Sequence, residues 1–180
     1  MSHERAETLL DQGRRARLSG ELEEALDLLQ QATELDPGFA AAWLELARSW
    51  ATAERWSRAI ECSDRAAAIE PHDVEILTAW AESLRQGDCY LAAQPVFVRA
   101  LAIDADYLHA VAGFGETLRV LGLASEALGY FDRALTIAPE HVFALRGKAS
   151  CLNGLFRWAE AMPYWEDALR LEPDLSLIHI

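Results

Sequence analysis

Pro37, Pro71, Pro139 and Pro173 fall on one 34-residue beat, and Ala105 occupies the single place where the beat is missing. Each closes a similar tripeptide: Leu35-Asp36-Pro37, Ile69-Glu70-Pro71, Ile103-Asp104-Ala105, Ile137-Ala138-Pro139 and Leu171-Glu172-Pro173. A fixed period in this range restricts the chain to a stack of like units, because one unit of this size cannot bury its own apolar face. Such stacks serve far more often as surfaces that hold other molecules than as places where bonds are broken.

With the Pro beat at the thirty-second place, the units span 6–39, 40–73, 74–107, 108–141 and 142–175. Two columns are then Ala throughout: Ala25, Ala59, Ala93, Ala127 and Ala161, and Ala32, Ala66, Ala100, Ala134 and Ala168. Ala is about one residue in five here, so ten matches in ten places reflect a packing need rather than composition. A methyl group lets two helices approach where a larger side chain would hold them apart. Large residues occupy other columns: Leu9, Trp43, Leu77, Val111 and Leu145 early, and Leu29, Phe97, Phe131 and Trp165 late, with Ser63 as the polar departure. Spacings of three, four and seven predict apolar stripes on helices. Each unit breaks in its middle, at Ser19-Gly20, Ala53-Glu54, Gly87-Asp88, Leu121-Gly122 and Asn153-Gly154. Gly near a helix end and a small polar cap are stop and start signals, so each unit reads as two antiparallel helices. Pro95 and Pro163 fall inside second helices at one shared register, where the expected role is a tolerated bend.

This pattern resembles the tetratricopeptide repeat over nearly the whole chain. That family has a 34-residue helix–turn–helix with a small residue at the eighth place, here Gly13, Ala47, Ala81, Gly115 and Ala149. The seventeenth place is aromatic in Trp56, Tyr90 and Trp158. Gln12 stands where Leu46, Trp80 and Phe114 stand later, as an exposed first repeat requires, and Lys148 departs at the same place in the fifth. The resemblance implies an all-α solenoid, a right-handed superhelix of about ten helices forming a single array over 6–175.

Charge and composition exclude several functions. The formal charge is −13, and no basic stripe exists to neutralise phosphates, so nucleic acid is not an expected partner. Apolar runs are too short for a membrane span, and the N-terminal residues lack a secretory core, which predicts a cytoplasmic protein that does not enter membranes. Cys62, Cys89 and Cys151 form no closely spaced pair and the five His are scattered, so no metal or other cofactor is expected. No Ser, Cys or Asp is placed with a His for nucleophilic catalysis, and no Gly-rich phosphate loop occurs. The six Trp lie on or beside packing columns, so core packing is the expected role for most of them.

In tetratricopeptide arrays the second, fifth, sixth, ninth, twelfth and thirteenth places line the inner groove. Carried onto this chain, the ninth place gives Arg14, Arg48, Glu82, Glu116 and Ser150. The twelfth gives Arg17, Ala51, Arg85, Arg119 and Asn153, and Arg146 holds the fifth place of the last unit. Six Arg in the groove of an acidic protein suggest a grip on an acidic peptide or a chain-terminal carboxylate, since a guanidinium makes bidentate bonds to carboxylates. Internal pairing competes with that role, because Glu82 with Arg85 and Glu116 with Arg119 are three apart on one helix. The Lys/Asn carboxylate clamp of chaperone-tail receptors is absent, its places holding Leu10, Arg14, Arg48, Glu75 and Ala79.

The hexapeptide Leu175-Ser-Leu-Ile-His-Ile180 breaks the pattern, and it matches the translation of a sequencing adaptor, ctg tct ctt ata cac atc. The expectation is that 175–180 are not native and that the array belongs to the N-terminal part of a longer bacterial protein. The leading functional expectation is a non-catalytic protein-interaction scaffold that binds a peptide or partner segment in its groove. Two alternatives stand beside it: the recognition arm of a larger bacterial enzyme, such as a glycosyltransferase or sulfotransferase, and a self-assembling module whose groove takes a segment of another copy.

Overall fold

The computed structural model describes residues 2–173, which are all-helical. In chain order the helices are α1 (Ser2–Ser19), α2 (Leu22–Leu35), α3 (Ala40–Thr52), α4 (Trp56–Ile69), α5 (Val74–Gln86), α6 (Tyr90–Ile103), α7 (Leu108–Val120), α8 (Ala124–Ile137), α9 (Val142–Gly154) and α10 (Trp158–Leu171). They form five consecutive pairs, and residues 175–180 lie outside the described residues. The chain divides into two compact units, Met1–Ile103 and Asp104–Ile180. In the first, α1, α3 and α5 pack in sequence and each rests on its own second helix; in the second, α7 packs on α8 and α9, and α9 on α10.

One backbone device closes every first helix. Gly20, Glu54, Asp88, Gly122 and Phe156 share the fifteenth place, and all have φ between 57° and 84°. Just beyond each, the next N–H reaches back five residues: Glu21 to Ala16 O (2.9 Å), Arg55 to Trp50 O (2.9 Å), Cys89 to Leu84 O (2.8 Å), Leu123 to Leu118 O (2.9 Å) and Arg157 to Leu152 O (2.9 Å). These are Schellman turns, which satisfy carbonyls that a helix end would otherwise strand. The fifth break therefore falls at Phe156 and not at Asn153-Gly154, since Gly154 still belongs to α9. Glycine marks the turn in sequence only where it occupies the left-handed place itself.

The Pro beat makes the other turn. Phe39 N–H donates to Asp36 O (3.1 Å), Asp73 to Glu70 O (3.3 Å) and His141 to Ala138 O (3.1 Å), with Pro at the second turn position, where its fixed φ suits the geometry. Ala105 gives up that constraint, yet Tyr107 N–H still donates to Asp104 O at 3.4 Å, and Asp104 Oδ1 accepts from Asp106 N–H at 3.0 Å. The division between the two compact units falls beside this turn. Small polar caps are rarer than the sequence suggests. Asp73 caps α5 through Ile76 N–H at 2.9 Å, whereas Phe39, Tyr107, Leu123 and His141 make no side-chain cap.

All ten Ala of the two invariant columns are buried. Leu29, Phe97 and Phe131 are fully buried opposite them, as is Ser63, whose hydroxyl meets that of Ser83 at 3.3 Å. In the first pair the buried early residue is Leu10, with Leu9 only half-buried. The Trp expectation needs correction: five of the six are half-buried and Trp158 is exposed. In the first unit Trp50, Trp43 and Trp80 are each covered from outside by a guanidinium, of Arg58 (4.6 Å), Arg65 (5.6 Å) and Arg99 (5.8 Å). An indole is too large for the space between two thin helices, so its outer face is finished by a cation instead of apolar groups. Pro95 and Pro163 do lie inside α6 and α10. Pro163 is exposed and Pro95 lies beside solvent on its helix, so the carbonyl each leaves unpaired can turn to water.

Candidate functional site

Successive first helices bring α1 and α3 side by side, and this places Arg14 and Arg17 opposite Glu45. Glu45 is 2% exposed, at the inward-facing sixth place of its unit. It collects three guanidinium groups. Arg17 donates through Nε (3.3 Å) and Nη2 (3.0 Å) to Oε2, Arg48 through Nη1 to Oε1 (2.8 Å), and Arg14 Nε stands 3.4 Å from Oε1. Arg48 also bridges to Glu75 of α5 through Nη2. Burial pushes the Glu45 carboxyl upward, but the hydrogen bond and charge of Arg48, with the charges of Arg17 and Arg14, hold it below its ordinary value. Glu45 therefore stays an anion and fixes the three arginines as a fan.

The arithmetic of the cluster leaves charge unspent. Three cations meet one buried carboxylate and the exposed carboxylate of Glu75, so the cluster is net positive in a chain of formal charge −13. Arg14 is 46% exposed. It is the most exposed of the three arginines and so the one best placed to meet a guest.

The remaining sequence-selected residues do not join this cluster. Arg85 donates through Nε (2.9 Å) and Nη2 (2.8 Å) to Glu82 on the same helix. Arg119 likewise holds Glu116 with two bonds of 2.7 Å. Arg146 is exposed on α9 and forms no ion pair with a described residue. Spacing alone identified the two local pairs. Glu45 was missed, although its signal was present: an acid at an inward place, three residues before Arg48.

In the second unit the approach of the helices is set by packing. The Phe131 ring fills a slot between two glycines: a Cβ at Gly147 would lie 2.3 Å from its Cε1, and one at Gly115 would lie 3.2 Å away. Lys148, at the place where Leu46, Trp80 and Phe114 stand in earlier units, is tied down by Asp132 (2.5 Å) and the Tyr164 hydroxyl (2.6 Å). Cys62, Cys89 and Cys151 are free thiols; burial pushes Cys62 and Cys151 up to about 11, which leaves them protonated and unreactive at neutral pH. No helix among the described residues is long and apolar enough to cross a membrane.

Comparison with known proteins agrees with this architecture. The family model for the tetratricopeptide repeat matches residues 16–82. No curated protein sequence matches the chain. Among solved structures, a MamA protein superposes with a TM-score of 0.79 at 20% identity, covering 97% of this chain and 98% of that one. A second MamA structure, from AMB-1, gives 0.77 at 24% identity over 92% and 98%. YrrB, described as a TPR protein with an unusual peptide-binding site, gives 0.72 at 21% identity over 93% and 86%. At these identities the likeness is one of fold. The sequence match over 16–82 and the return of the same helix pair as far as Leu171 agree with a repeat fold of the tetratricopeptide kind.

Proposed function

We propose that this chain is a non-catalytic protein-interaction scaffold that takes an acidic peptide segment against its first helices, anchored at Arg14, Arg17 and Arg48. The observation that carries this reading is the fan around Glu45: a buried anion spends its charge on positioning three arginines and leaves the group net positive. Guanidinium groups held in advance lose little freedom on meeting a carboxylate, so each bond returns more affinity than a mobile side chain would. In the first unit Glu82 and Arg85 then act as a paired polar lining; in the second, taken by itself, Glu116 and Arg119 form a like pair and Arg146 a separate cationic point. The free thiols fit a reducing, cytoplasmic setting.

The test is a binding titration with an acidic peptide and its counterpart carrying Asn and Gln for Asp and Glu. The acidic peptide is expected to bind at least about tenfold tighter, and the advantage should shrink as salt is raised. Arg14→Ala with Arg48→Ala should abolish the difference. Equal affinity for the two peptides, or no effect of the double substitution, rejects the reading.

A further inference from the structure

We propose that Glu75 is a built-in competitor for the acidic guest: its carboxylate holds Arg48 in the chain by itself and must let go before a guest carboxylate can engage that arginine. The inference rests on the peptide site proposed above and adds what sets its threshold. The two carboxylates that Arg48 holds are unlike. Glu45, which accepts from Arg48 Nη1, is 2% exposed and also meets Arg17 and Arg14, so withdrawing it would strand charge away from water. Glu75, which accepts from Arg48 Nη2, is 52% exposed. A pair this open is weakly held, because water and salt compete for both partners.

The placement of Glu75 makes release easy. It stands in the first turn of α5, where the helix N-terminus favours a carboxylate with or without an arginine in reach. It therefore keeps that local stabilisation when it swings into water. Its reach toward Arg48 follows from the packing of α3 on α5 and from its inward-facing second place. Glu82, the other acid at an inward place of α5, turns instead to Arg85 of its own helix, with bonds of 2.9 and 2.8 Å. Of these two acids, only Glu75 touches the arginine fan. What it offers Arg48 is chemically what a guest Asp or Glu would bring, so binding there exchanges one carboxylate for another. The apparent affinity is then the intrinsic one reduced by the fraction of molecules in which Glu75 has released Arg48.

Fluorescence anisotropy with a labelled peptide of alternating Asp and Glu, beside its Asn/Gln counterpart, tests this on the full chain. Glu75→Gln should tighten the acidic peptide at least about threefold and leave the counterpart unchanged. Asp11→Asn removes a charge from an exposed inward place of α1 that Arg48 does not hold, and should tighten it by less. In an Arg48→Ala background, Glu75→Gln should give no more than Asp11→Asn does, because the contested arginine is gone. A pair that only braces α3 against α5 would change the melting temperature and not the affinity. Glu75→Gln without a gain, or with a gain that Asp11→Asn matches, overturns the competition, and a wild-type preference for the acidic peptide would still leave the peptide site standing. No preference in either the wild type or Glu75→Gln rejects both readings. A preference that emerges only in Glu75→Gln supports the competition.

Discussion

The first and second compact units share one repeat, one set of buried Ala columns and apolar packing between their helices, but they differ in what is added to that packing. In Met1–Ile103, charge bridges the helices: Arg14 and Arg17 of α1 reach Glu45 of α3, and Arg48 of α3 reaches Glu75 of α5. In Asp104–Ile180 the ion pair of Glu116 and Arg119 stays within α7, and a ring seated between two glycines sets the approach of α7, α8 and α9. The difference teaches that the repeat fixes helix positions through small residues and leaves the inward places chemically open. A charged face and a packed face can be built on the same frame.

The largest expected effect lies in the packed unit. Phe131→Ala removes a fully buried ring, with a cost of about 3–5 kcal/mol, and hydrogen exchange should quicken in α7, α8 and α9 while α1 and α3 keep their protection. Equal acceleration in both units would break the comparison. In the charged unit, Glu45→Gln leaves three guanidinium groups without their shared anion; these remain partly in water, so the expected loss is about 2 kcal/mol by denaturant unfolding.

The same residue gives a pH signature. Because the folded Glu45 carboxyl titrates below its unfolded value, its contribution is fully present above the ordinary carboxylate range and is lost as pH falls through the lowered folded value. Acid unfolding of Glu45→Gln should therefore be shallower than that of the wild type. Parallel stability curves for the two proteins would show that the cluster contributes nothing to the unit.

Smaller effects sharpen the contrast further. Trp50→Ala should cost about 1–2 kcal/mol, short of a core deletion, because the ring is half-buried and faces Arg58. Smallest is relief of the left-handed turn. Glu54→Gly should stabilise by a few tenths to about 1 kcal/mol, and Phe156→Gly by less, since the latter also gives up the contact with Trp158. Thermal melts that rank these two in the opposite order would remove strain at the fifteenth place as a common property of the pairs.

The fold was legible because its determinants repeat. Ala59 or Ala134 alone is uninformative, yet five copies of each column point to one close helix contact. Features that depend on a single copy were harder to read. Phe156 takes the left-handed turn despite its side chain, while Gly154, the apparent signal, ends a helix two residues earlier. Trp50 and Trp80 read as core by hydrophobicity, but their size carries them to the surface, where an Arg covers them. At the candidate site, Glu82–Arg85 and Glu116–Arg119 were legible because three-residue spacing is local. The Glu45 fan joins it to Arg17 and Arg14 across 28 and 31 positions, and only the packing of α1 on α3 brings them together.

The most direct measurement of the central claim is a map of backbone amide shifts as an acidic peptide is titrated into the isotopically labelled protein. The account predicts perturbations concentrated on α1 and α3 around Arg14, Arg17, Glu45 and Arg48, and absent from the same experiment on Arg14→Ala with Arg48→Ala. Perturbations confined to α7 through α10, or spread evenly over second helices, would contradict it.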